Sequence, residues 1–266
     1  MLLGSRNVSD MCLKIYFSDD HSVAEYIILN AVLYFLVVLS PASDKPQDKF
    51  SEARYLYAEN LKSALASLPL YIKPMKDMVL ALVLGVRHKL SLASFSVETS
   101  KPHEAWVLIT AAYQAAQALG YHSRHRAVSE DSSELNDSGV IFWVIYYLEK
   151  SLSLRLGRCS MIQRYDISLP LPGDSQTSPT VMVKYCKISI QLADISSRVY
   201  NSLYSPQSLS GTDQVRTSKA LELHEELKSI KRERESMKAS KQNNSLDQFQ
   251  LSPLAKMHTS TPKLWT

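Results

Sequence analysis

The stretch KPHEAWVLITAAYQAAQALGY, residues 101–121, decides the fold class. Pro102 suits the first turn of a helix, where its missing N–H is not needed. Ala105, Leu108, Ala112, Ala115 and Leu119 then recur at three- and four-residue steps, the spacing of one helix face. Gly120 follows as a left-handed stop. Six alanines between 105 and 118 keep the helix surface low, so a neighbouring helix can approach closely. No set of period-2 runs competes with this reading anywhere in the chain.

Working towards the C-terminus, Asp137-Ser138 reads as the cap of a helix over 139–156, stopped by Gly157. Its run from Val140 to Leu148 has the composition of a buried strand, but its length favours a helix buried on most sides. Residues 158–178 read as irregular, with Pro170 and Pro172 in them. Val181, Tyr185, Ile188, Leu192, Ile195, Val199 and Leu203 mark a long amphipathic helix, ended by Pro206. A last helix over 213–239 carries Ala220, Leu223, Leu227 and Ile230 before a charged end.

Towards the N-terminus, a helix from Pro74 to about residue 95 carries Met78, Leu82 and Val86, and another covers 50–68. Ser22-Val-Ala-Glu25 is a capping box that opens an apolar helix to residue 39. The expected architecture is all-α: an N-terminal segment over 1–21, a multi-helix domain over 22–239, and a disordered Ser-, Gln- and Asn-rich tail over 240–266.

Composition narrows the function. Of 266 residues 45% are apolar and 21% charged, ordinary for a globular protein. Net charge is only +4, short of the basic field of a self-sufficient nucleic-acid binder. The 7 glycines never fall within ten residues of one another, so no phosphate-cradling glycine loop exists. The apolar stretch 26–39 is 14 residues long and interrupted by Asn30, too short to span a bilayer. Without a secretory leader at Met1, the expectation is a soluble, intracellular protein with no membrane partner.

Catalytic and metal chemistry find little support. His122 and His125 have the spacing of a metal pair, but no Cys or carboxylate flanks them, and a helix-terminal His122 facing carbonyls accounts for it. Cys12, Cys159 and Cys186 are scattered and read as three buried thiols. No nucleophile elbow and no Cys–His signature occurs. Asp19-Asp20 and Glu225-Glu226 read as solvated faces. The basic run 228–241 is broken by Glu233 and Glu235, and reads as a solvated helix end with a nuclear-import address as the alternative.

An ordered succession of motifs adds to this. Lys101-Pro-His-Glu-Ala-Trp106 leads through Ala111-Ala112 and Ala115 to Leu119-Gly120-Tyr121-His122. Phe142-Trp143 precedes Tyr146-Tyr147-Leu148-Glu149-Lys150, then Leu154-Arg-Leu-Gly157-Arg158-Cys159, then Ile167-Ser-Leu-Pro170-Leu-Pro172. Over residues 22–237 this resembles the fungal-specific transcription factor domain, the regulatory middle region of fungal zinc binuclear cluster proteins. Tyr121 stands where the family has Leu, Ser123 for Arg, Glu149-Lys150 for Asp-Arg, and Cys159 for Pro. No Cys-x-x-Cys-x6-Cys array precedes the domain, which fits either a stand-alone regulatory module or a reading frame whose first exon is missing.

The resemblance implies an all-α, non-enzymatic regulator of transcription in the nucleus. It implies Trp106, Gly120, His122, Phe142, Trp143, Gly157 and Arg158 as structural or regulatory residues, and no catalytic or metal site. No cofactor is expected in this chain, zinc entering only with a cysteine cluster. Expected partners are a second copy or other transcription regulators, a small-molecule effector, and DNA through a missing or partner DNA-binding module. Arg158 is expected to be buried or bridging, donating to helix-end carbonyls or to Asp166. The rival readings are a helical enzyme or small-molecule-binding protein using the same apolar cleft, and a degenerate relic.

Overall fold

The computed structural model describes residues 7–18, 20–39, 48–92, 102–123, 132–172 and 181–242. Among these residues every regular element is helical and no strand occurs. The fold is all-α. The helices are α1 (Val8–Phe17), α2 (Val23–Leu39), α3 (Asp48–Ala66), α4 (Lys76–Leu92), α5 (Pro102–Ala118), α6 (Ser132–Arg155), α7 (Val181–Val199), α8 (Pro206–Leu209) and α9 (Asp213–Gln242). The chain forms two compact units, residues 1–121 with 130–141, and residues 122–129 with 142–266.

In the first unit the expected capping box starts α2. The Glu25 N–H donates to Ser22 Oγ at 3.1 Å, and the Ser22 N–H donates to Glu25 Oε2 at 2.8 Å. The other Glu25 oxygen pairs with Lys14 Nζ at 2.6 Å, which ties α1 to α2. Asn30, the polar interruption of the apolar run, is 1% exposed. Its Nδ2 donates to the Tyr26 carbonyl and its Oδ1 accepts from Asn60 Nδ2 of α3, both at 2.9 Å. A buried amide is tolerated because it is bonded.

Helix α4 packs on α2, α3 and α5. Wrapped on so many sides, it buries every residue from 79 to 89, including Arg87, His88 and Lys89. A methyl at Gly85 would come 2.9 Å from Leu65 Cδ2, so this bare position admits the α3 leucine. Arg87 lies 4.9 Å from the Phe35 ring centroid, and His88 meets Tyr34 edge-on at 4.7 Å. Burial pushes the His88 imidazole down to about 4. Lys89 Nζ pairs with Glu104 Oε2 of α5 at 2.7 Å. Helix α5 ends as expected: Gly120 has φ of 75°, its N–H donates to the Gln117 carbonyl, and the Tyr121 N–H reaches back to Ala116 at 3.0 Å. These two bonds make a Schellman stop.

In the second unit, α7 and α9 share a core of Ile188, Ile195, Val199, Leu223 and Ile230, flanked by Leu154, Leu192, Leu203, Leu227 and Met237. The near-heptad stripe of α7 is therefore used within the chain. Arg198 forks onto the Glu226 carboxylate beside this seam. Past Val199 the helix widens into a π turn, Tyr200–Tyr204, closed by the Ser205 N–H on the Tyr200 carbonyl at 2.8 Å. Ser205 Oγ then accepts from the Ser208 N–H to start α8 at Pro206.

Four expectations need correction. Helix α1 was not foreseen; it is short, and Asn7 caps it by accepting from the Ser9 N–H at 3.0 Å. Helix α6 begins at Ser132, so Asp137-Ser138 lie inside it and cap nothing. The stretch after Gly157 is not wholly irregular, since Arg164–Asp166 forms a 3-10 turn. Cys159 is exposed, and Cys12 and Cys186 are half-buried, so three buried thiols is not the arrangement. Helix α9 runs on to Gln242, and the rest of the expected tail lies outside the described residues.

Candidate functional site

Of the segments that carry the resemblance, the first lies on α5 in the first unit, whereas those over 142–172 come together on the C-terminal half of α6, residues 142–155, and on the connection 156–172, all within the second unit. The half-helix is almost wholly buried. Phe142 and Tyr146 are fully so, and so is the charged residue Glu149. A carboxylate in such a place must be hydrogen-bonded on both oxygens, and it is. Glu149 Oε1 accepts from Ser153 Oγ at 2.9 Å and from the Met161 N–H at 2.8 Å. Oε2 accepts from Ser160 Oγ at 2.6 Å, and Ser160 Oγ in turn accepts from the Ile162 N–H at 3.3 Å.

The geometry of the turn delivers these partners. Gly157 adopts φ of 64°, its N–H donates to the Leu154 carbonyl at 3.0 Å, and the Arg158 N–H donates to Ser153 at 2.8 Å. This second Schellman stop reverses the chain so that Ser160 and Met161 run back beside α6. Two more bonds hold the far end of the connection. Trp143 Nε1 donates to the Pro170 carbonyl at 3.2 Å, and the His122 carbonyl accepts from the Ser168 and Leu169 N–H groups at 3.1 and 3.2 Å. The connection 158–170 is thus fastened at three points.

On another side of α6, Trp143, Tyr146 and Lys150 follow one another at helical spacing. The Trp143 and Tyr146 rings meet edge-to-face at 5.4 Å between centroids. The Tyr146 hydroxyl donates to Asp194 of α7. Burial, then that carboxylate, pushes the Tyr146 phenol above its ordinary range. Lys150 Nζ lies 4.8 Å from the Tyr146 centroid, and Arg164 Cζ lies 5.3 Å from that of Trp143. Desolvation lowers the Lys150 ammonium, partly offset by the fields of Glu149 and Asp194.

Each residue named from the sequence has a definite place. Phe142 and Trp143 are buried, with His122 half-buried at 6.4 Å from the Phe142 centroid. Gly120 and Gly157 hold the two stops. Trp106 is half-buried on α5 in the first unit. Arg158 is exposed rather than buried, as is Asp166. His125 lies outside the described residues. Among the described residues no three His, Cys, Asp or Glu side chains gather as a metal site. No described helix is long and apolar enough to cross a membrane.

Sequence reasoning missed Glu149, Ser153, Ser160 and Asp194 as a set. The available signal was a Glu-Lys pair at the end of an apolar helical run, where charged groups are rarely buried without partners.

The family model of the fungal specific transcription factor domain matches residues 30–232, which covers α6, the fastened connection and α7. The chain belongs to this family. It is similar to an ABC-transporter-regulating transcription factor of Aspergillus fumigatus, 25% identical over 213 residues, 77% of this chain and 23% of that protein. The counterpart of the same description in Aspergillus oryzae is 25% identical over 195 residues, 70% of this chain and 21% of that protein. The lactose regulatory protein LAC9 of Kluyveromyces lactis is 30% identical over 153 residues, 57% and 16% of the two chains. The chain therefore spans only about a fifth of the length of the curated relatives it matches. No solved structure matches it.

Proposed function

We propose that this chain is a non-enzymatic regulatory domain that acts in the nucleus and controls an attached or partnered DNA-binding module. One observation carries the reading: the family's Phe-Trp and Leu-Gly-Arg segments, with the Glu149-Lys150 pair that stands here for its Asp-Arg, meet as a fastened helix–turn–connection unit. Their buried polar groups are used for holding this connection in place. Glu149 has both oxygens engaged by donors of the chain itself, which suits a fastening role. Such a device suits control by population shift, in which an effector or a partner favours the fastened or the released connection. The partner is a second copy or another transcription regulator, and the α7–α9 seam is already spent within the chain.

The test is a reporter assay. The 266-residue chain is fused to a heterologous DNA-binding domain and activation domain in a fungal host. The reading expects reporter output to differ from that of the fusion lacking the chain, and Glu149→Ala to remove the difference. Output identical with and without the chain, at equal protein level, refutes the reading.

A further inference from the structure

Residues 228–241, in the C-terminal half of α9, hold six Lys and Arg against two Glu, which accounts for the whole of the chain's net charge of +4. Folding sorts these charges by face. Arg216, Ala220, Leu223, Leu227, Ile230, Arg234 and Met237 follow at four- and three-residue steps and are all buried or half-buried. The apolar members of this side pack on α7, and the charge of Arg234 is felt at Tyr147 of α6. On the far side Leu221, Glu225, Lys228, Arg232 and Glu235 follow at the same steps, and all are exposed. Lys231, also exposed, stands beside Lys228 at i+3.

This outer stripe reads apolar, acidic, basic, basic, acidic. Glu225 pairs with Lys228 at 2.8 Å, and the field of Arg232 also reaches it. Lys231, Arg232 and Glu235 make no hydrogen bond or ion pair among the described residues. The order of the charges selects the occupant. Glu225 and Glu235 bracket the cations over about 15 Å of helix, at 1.5 Å per residue. A nucleic-acid strand carries charge without a break, so lying along the stripe it sets phosphates against both carboxylates. A second copy of α9 fits no better. Antiparallel and in register, it sets Lys228 against Arg232 and Glu225 against Glu235. A slip of seven residues sets Lys228 against Glu225, but leaves Arg232 opposite Leu221 and Glu235 opposite Ser218.

We propose that the outer stripe of α9 docks a helix of a different protein, one that presents two or three carboxylates within a single turn between basic or neutral residues. Its acids meet Lys228, Lys231 and Arg232, its basic ends meet Glu225 and Glu235, and an apolar side chain covers Leu221, which is 62% exposed. The Arg232 guanidinium can grip one of those carboxylates with two parallel bonds. The proposal rests on the regulatory reading above, and gives the partner regulator a surface and a chemical class. Rim charges of this kind set the choice of partner and the rate of encounter more than the affinity.

The full chain is titrated into a labelled helical peptide whose centre reads Asp-Glu-Leu-Asp between lysines, and binding is followed by fluorescence anisotropy. The same peptide with Asn-Gln-Leu-Asn at its centre, and a labelled duplex DNA of arbitrary sequence, serve as comparisons. The proposal expects saturable binding of the acidic peptide that weakens with added salt, none of the neutral peptide, and weaker binding of DNA. Lys228→Gln combined with Arg232→Gln should weaken binding about tenfold, the scale of two exposed ion pairs, with an unchanged melting temperature. Lys228→Glu combined with Arg232→Glu should lose the acidic peptide and bind one with Arg-Lys-Leu-Arg at its centre. The comparison of acidic with neutral peptide needs no variant, so it decides even where a variant does not fold. No binding of the acidic peptide, equal binding of the neutral one, unchanged affinity in the folded variants, or tighter binding of DNA overturns the proposal. Dimers of the chain that dissociate on Arg232→Glu give the face to a second copy and overturn it too. A fusion that regulates the reporter while the chain ignores the acidic peptide overturns this surface alone; peptide binding without reporter regulation overturns the regulatory reading alone.

Discussion

Replacing Glu149 by Ala removes the acceptor for three donors at once: Ser153 Oγ, Ser160 Oγ and the Met161 N–H. Hydrogen bonds to a charged acceptor contribute about 1.5–3 kcal/mol each, and donors left buried without partners add their own cost. The three are not independent, because a hydroxyl can turn to another acceptor, as Ser160 can towards the Ile162 carbonyl at 3.3 Å. Against them stands the carboxylate's desolvation, which the substitution relieves. The net expectation is a loss of about 3–5 kcal/mol, the range for breaking a buried charged network. Glu149→Gln keeps the volume and one acceptor oxygen, so it should lose roughly half as much. The assay is urea unfolding followed by Trp143 fluorescence, with Trp106 and Trp265 replaced by Phe so that the second unit is read by itself. The slope should stay constant while the midpoint falls. A loss under about 1 kcal/mol in Glu149→Ala, the level of an exposed pair, would refute the buried-fastener account.

Gly157→Ala should cost about 1–2 kcal/mol from its φ of 64° alone, since a methyl there meets nothing within 4 Å; thermal melts check this. Arg158→Ala, at an exposed position, should cost less than about 1 kcal/mol in the same melts. Ser22→Ala should cost about 1 kcal/mol by removing half of the capping box of α2, read by hydrogen exchange at the first turn. Stability should fall on acidification below the ordinary histidine value of 6.5, because His88 is held neutral down to about 4 while the unfolded chain takes up the proton. The stability is full above 6.5 and drops by up to about 1.4 kcal/mol per pH unit between 6.5 and 4. His88→Gln should flatten that slope in unfolding curves between pH 7 and 5; an unchanged slope contradicts the assignment.

The all-α class, the α2 capping box and both glycine stops were legible in the sequence, because each depends on contacts no more than about five residues apart. Periodicity, a hydroxyl three residues before a carboxylate, and a glycine after the last apolar position are local physics. The ordered family motifs were legible for the same reason, as successions of short segments. The start of α6 was misread because Asp137-Ser138 suit a cap as well as they suit a helix interior, and propensity alone did not separate the two. What Glu149 and Asp194 bind was settled only by tertiary structure. A buried charge acquires its role from partners that folding brings alongside it: Ser160 and Met161 eleven and twelve residues on, and Asp194 forty-eight residues from Tyr146. The α7 stripe shows the same division. Its spacing announces an apolar seam, but only the packing of Leu223 and Ile230 against it decides that the partner is α9 of the same chain.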